Sequence, residues 1–184
     1  MMQNIAAGLL LLGATAHAGP PTTPQAAACA SRAYAPYAEA MSEWERRQAE
    51  FISAARTEFN PSAALNGQAS GLEWSRTAYR IKYLALNAPT RLDLGNGLAG
   101  LGLFDWTRTD EFRLRASEPD YPAVADRASQ LRTQYRQHPK RLAMENYVEK
   151  TLLSDTAYLG RLQSLSAAVE AAGREFDRCK PLLA

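Results

Sequence analysis

Apolar residues recur every three or four positions along most of this chain, and no strictly alternating run exceeds a few residues. That period belongs to helices, so the pattern predicts an all-α protein. The first seam is Ala30, Tyr34, Tyr37, Met41, Trp44, Gln48, Phe51 and Ala55, which predicts a helix from about Gln25 to Glu58. Pro36 falls inside it, where proline kinks a helix or delays its regular start. Asn60-Pro61 reads as the stop, and the polar stretch SAALNGQASG as a connector.

The next segment, Leu72 to Leu86, carries two apolar stripes, one of Leu72, Tyr79, Tyr83 and Leu86, the other of Trp74, Ala78, Ile81 and Ala85. Only Glu73, Arg76 and Arg80 make a charged stripe. A helix apolar over most of its circumference belongs at the centre of its domain. Further on, Thr107 and Asp110 form a partial capping box for a short helix. Tyr121, Val124, Ala128, Leu131 and Tyr135 mark another helix, to Gln137, and His138-Pro139 opens the one after it. The last begins near Asp155, with a seam of Leu162, Leu165, Val169, Ala172, Phe176 and Cys179. The predicted architecture is an antiparallel helical bundle of about five helices with one glycine-rich irregular loop.

That loop contains GNGLAG, residues 95–100, which matches the dinucleotide fingerprint G-x-G-x-x-G. The fingerprint works when a strand delivers the turn and a helix starts directly behind it. Here APTRLDL is at most a very short strand, LGLFDWT does not begin a helix at the required place, and the Gly-Lys-Ser/Thr ending of a P-loop is missing. No nucleotide cofactor is expected. Leu94, Leu98, Leu101, Leu103, Phe104 and Trp106 lie among the glycines and need cover. Either the segment is a plug over one end of the bundle, or it projects and offers these side chains to a partner. Phe104 and Trp106 fit the plug better, and Leu98 to Leu101, at the apex, fit both readings. Leu98, Leu101, Leu103, Phe104 and Trp106 are therefore the candidate partner-binding residues.

The N-terminus changes the picture of where the chain works. Ile5 to Ala16 is apolar but short for a bilayer, and Ala16-His17-Ala18 before Gly19-Pro20-Pro21 is a signal-peptidase pattern. Residues 1–18 are expected to be a cleaved secretory signal and 19–184 a single helical domain, periplasmic or secreted, with no transmembrane segment after cleavage. No Lys or Arg precedes the apolar run, so the free amino terminus supplies the charge or the true start lies upstream. Export gives the two cysteines one possible pairing, Cys29 with Cys179. Antiparallel terminal helices would bring them together.

Chemistry is sparse. His17 leaves with the signal, so His138 is the one histidine remaining, which argues against Ser-His-Asp catalysis and, with the cysteines paired, against zinc. Asp105, Asp110 and Glu111 lack the alternation of a calcium loop, and capping and helix-dipole roles account for Asp110 and Glu111. Glu39, Glu43, Arg46 and Arg47 fit solvent-facing pairs. Arg127, Arg132, Arg136, Lys140 and Arg141 form the one charge imbalance, but at about 100° per residue they do not share a stripe. With a net charge of +2, nucleic acid is not an expected partner. The expected function is that of an exported, non-enzymatic protein-binding protein of the envelope, of the inhibitor or immunity type. The alternatives are a small helical enzyme, isomerase-like or mutase-like, using Arg76, Arg80 and Lys82, and a structural envelope component.

Overall fold

The computed structural model describes residues 22–182, and the side chains of all of these except 161–166. The expected signal segment, residues 1–18, and the side chains of Leu162 and Leu165 lie outside the described residues. The elements are α1 (Pro24–Ala55), α2 (Asn60–Asn87), α3 (Gly97–Leu101), α4 (Arg108–Ser117), α5 (Tyr121–Gln137), α6 (Arg141–Lys150) and α7 (Thr156–Asp177), with short 3-10 turns at Thr57–Phe59, Pro89–Arg91, Leu152–Ser154 and Lys180–Leu182. No strand occurs among the described residues. The protein is an all-α antiparallel bundle.

α1 starts where Thr23 accepts the Ala26 N–H and Pro24 supplies a preset first-turn φ. It continues through Pro36, whose side chain is exposed and whose missing N–H removes only one ladder bond. The expected connector after Pro61 is instead the first half of α2. Proline begins a helix as readily as it ends one, and here it sits in the first turn. Gly67 in this stretch serves packing: a Cβ there would lie 2.8 Å from the Glu45 carbonyl oxygen and 2.8 Å from Ala49 Cβ. α1 and α2 therefore approach backbone to backbone as an antiparallel hairpin, with Tyr37 edge-on to Trp74 further along.

α5 runs antiparallel along α2, with Tyr121 beside Tyr79 and Arg132 beside Asn66 and Ser70. α7 runs antiparallel along α1. Tyr158 packs on Trp44 and Phe51 near one end, and the Cys29–Cys179 disulfide joins the two helices at the other. Two apolar cores result. The larger gathers the N-terminal half of α1, the C-terminal half of α2, Leu92 to Leu101, Tyr121 and Phe176. The smaller holds Ile52, Phe59, Tyr135, Met144, Leu152 and Tyr158.

The glycine-rich segment belongs to the larger core. Asn96 leads into Gly97 at φ 69, a left-handed conformation that only glycine adopts without strain, and the chain then makes the five-residue α3. The helix thus starts inside GNGLAG rather than after it. Its geometry still differs from a phosphate loop, because no strand precedes it and its side chains point into the bundle. Leu94 and Leu101 are 1 % exposed and Leu98 is 8 % exposed.

Candidate functional site

Beside the plug, α2, α4 and α5 bring charged side chains together around Glu111. The Thr107 cap fixes the start of α4. Thr107 Oγ1 accepts the Asp110 N–H at 3.1 Å, and Asp110 Oδ2 accepts the Thr107 N–H at 3.0 Å. Asp110 also receives a two-pronged contact from Arg91, at 3.1 and 2.9 Å, and Arg91 reaches the Asp105 carbonyl as well. This arginine ties the 3-10 turn after α2 to the start of α4. The Arg91 guanidinium holds the Asp110 carboxyl well below the usual carboxylate range, against the opposing effect of burial.

One residue on, Glu111 faces α2. Its Oε2 accepts hydrogen bonds from Arg80 Nη2 at 2.9 Å, Trp106 Nε1 at 2.8 Å and the Tyr121 hydroxyl at 2.8 Å; its Oε1 accepts from Arg115 Nε at 3.0 Å. Arg115 also pairs with Asp126. The Arg80 guanidinium lies 4.8 Å from the centre of the Trp106 ring, and its Nε donates to the Tyr121 oxygen at 3.1 Å. Arg76 stands 3.9 Å from Glu111 and 3.4 Å from Glu73, with its buried Nε unpaired among the described residues. Burial alone would raise the Glu111 pKa. The donors from Trp106, Tyr121, Arg80 and Arg115 outweigh it and bring the pKa down to about 2. Glu111 is therefore an anion at neutral pH, held by four donors.

The cations named in the sequence for an enzyme take these places: Arg76 and Arg80 turn to Glu111, and Lys82 pairs with Glu118 at 2.7 Å on the surface. Charged groups do converge, but on one another. His138 Nδ1 accepts the Lys140 N–H at 3.2 Å, a local turn contact. The basic run divides as helical spacing requires. Arg132 turns inward to Asn66 and Ser70, Arg141 pairs with Glu145, and Arg127, Arg136 and Lys140 are exposed.

The five candidate partner-binding residues also divide. Leu98 and Leu101 are buried, which removes them from the surface a partner could touch in this conformation. Phe104 and Trp106 are half-buried and pack edge-on to each other, Trp106 also against Tyr83. Leu103 is 77 % exposed. Phe112 on α4, 74 % exposed, and Leu86 near the end of α2, 72 % exposed, are also large apolar side chains left in water. Phe112 points away because its neighbour Glu111 faces α2, an orientation that spacing along α4 alone does not give. Leu86 falls on an apolar stripe of the sequence and is nevertheless exposed.

Among the described residues no His, Cys, Asp or Glu group is arranged to hold a metal, and no helix is long and apolar enough to cross a membrane. No protein-family model, curated protein or solved structure matches this chain.

Proposed function

We propose that this is an exported, non-enzymatic protein-binding protein that presents Leu103 and Phe112, flanked by half-buried Phe104, to a protein partner in the cell envelope. The carrying observation is a contrast on one cap of the bundle. Its polar groups are consumed by one another around Glu111, while large apolar side chains beside them are left in water. Exposed aromatic and aliphatic anchors on a firmly held segment are what a binding surface requires. Export is supported by Ala16-His17-Ala18 after the apolar run and by the disulfide, which fits an oxidising compartment. Within this reading, an inhibitor or immunity role remains the proposed subtype, by analogy of size and compartment alone.

Site-specific photo-crosslinking tests the reading. A benzophenone side chain at position 103 or 112 is expected to give a discrete adduct with one envelope protein, and the same probe at the remote, exposed Thr133 none. Intact-mass analysis of the exported form should place the new N-terminus at Gly19. Absence of an adduct from both cap positions would overturn the reading.

A further inference from the structure

A groove of about 680 Å³ runs on another face of the molecule, between α1, α2 and α5. Its walls include Ala49, Ala64, Gly71, Leu72 and Leu131. Three serines also line it, yet their hydroxyls are turned back into the helices. Ser42 Oγ donates to the Gly71 carbonyl at 2.8 Å, Ser53 Oγ to the Ala49 carbonyl at 2.7 Å, and Ser75 Oγ to the Gly71 carbonyl at 3.4 Å. With those hydroxyls satisfied the groove's lining is mostly apolar, broken by the side-chain amides of Asn60 and Gln68. Its depth at Gly71 is not imposed by helix packing, unlike the close approach at Gly67. A Cβ on Gly71 would meet Ser42 at 3.6 Å, an ordinary contact, and φ there is not positive. Glycine in mid-helix is unfavourable by about 1 kcal/mol relative to alanine, so the fold gains nothing from it here.

At the rim the charges are unequal. Arg46 is held by Glu43 and Glu50. Arg127 is exposed, and among the described residues it donates only to the neutral Gln130, at 2.8 Å. An apolar trough within the size range of ligand sites, with one uncommitted guanidinium at its edge, matches a chain with an anionic head. We propose that this groove binds a single-chain fatty carboxylate, the alkyl chain over Ala64, Gly71 and Leu131 and the carboxylate on Arg127. Ser75 also borders a second pocket of about 340 Å³ on the α1–α2 face. The proposal does not rest on the partner surface at Leu103 and Phe112 and stands or falls separately.

Titration calorimetry with dodecanoate tests it on the exported protein. Saturable 1:1 binding is expected, weakening about fourfold for each methylene removed from the chain. Arg127→Glu, on an exposed position, should weaken dodecanoate at least tenfold while leaving the uncharged dodecyl maltoside unchanged. Ala64→Trp, which fills the trough, should abolish binding of both. Absence of saturable binding, or binding indifferent to Arg127→Glu, would overturn the proposal. So would a wild-type dimer that excludes dodecanoate and becomes monomeric in Ala64→Trp, since the occupant would then be a second copy.

Discussion

Arg80 and Glu111, thirty-one residues apart, meet at 2.9 Å across the α2–α4 contact, and the Trp106 ring closes over the arginine at 4.8 Å. The pair fastens the cap to the central helix: Trp106 leads out of the glycine-rich segment, Glu111 lies in the first turn of α4, and Tyr121 begins α5. The same fastening orders the segment that carries Leu103 and the helix that carries Phe112.

Glu111→Ala is expected to loosen the cap locally. It leaves Arg80, Trp106 and Tyr121 without their common acceptor, a loss on the order of 3 kcal/mol for a partly buried pair. Hydrogen exchange should accelerate in α4 and in residues 102–107 while α7 stays protected. Uniform protection in the variant would contradict the clamp.

Acid should act through the same carboxylates. Glu111 has a folded-state pKa of about 2 against an ordinary value of 4.5, and Asp110 is also depressed. A depressed pKa stabilises the fold above the unfolded-state value, and that contribution is lost as pH falls through the folded value. Stability should therefore hold down to about pH 4.5 and decline from there toward pH 2, by ~2–3 kcal/mol for Glu111 after allowing for solvent screening. Denaturant titrations across this range read it directly. In Glu111→Gln the decline should be smaller by that amount.

Two glycines seven and eleven residues into α2 should respond oppositely to alanine. Gly71→Ala meets only ordinary contacts and should stabilise by about 0.5–1 kcal/mol. Gly67→Ala places its methyl against the Glu45 backbone and Ala49, and should destabilise by roughly 1–3 kcal/mol despite the better helix propensity. Chemical denaturation of both variants checks the difference in sign.

This pair also marks where the sequence stopped being legible. The apolar period of α7 carries on to Cys179, just past its end, and Cys29 lies in the second turn of α1, so the disulfide could be read from periodicity and cysteine count together. The Thr107–Asp110 cap was equally local and equally readable. Residues 60–71 were not. Their glycines and polar side chains look like a connector until a second helix lies close enough to need Gly67. Glu111 likewise looks like a helix-dipole charge, because its partners Arg80 and Tyr121 are set by tertiary packing and not by spacing along α4. In the glycine-rich segment the sequence left plug and projecting loop both open, and each describes part of it. The left-handed Gly97 turns Leu98 and Leu101 inward, and the chain then leaves α3 with Leu103 outward.

Cys29 and Cys179 close a loop with a sequence separation of 150, so opening the bridge should lower stability by about 4–5 kcal/mol on the chain-entropy account. The paired Cys29→Ser and Cys179→Ser variant should melt on the order of 10 °C lower than the oxidised protein. An unchanged melting temperature would mean that the bridge only decorates a bundle already held by its cores.

A cap that binds through what it exposes and is stable through what it buries should lose the two properties separately. The most direct measurement compares two double variants for melting temperature and for recovery of the partner crosslinked at position 104. Leu103→Ser with Phe112→Ser should keep the wild-type melting temperature and lose the partner, because exposed apolar groups add little to the fold. Leu98→Ser with Leu101→Ser should lower the melting temperature by on the order of 10 °C or more, since each buried leucine truncation costs about 3–5 kcal/mol. Full partner recovery by the Leu103, Phe112 variant, at an unchanged melting temperature, would contradict the account.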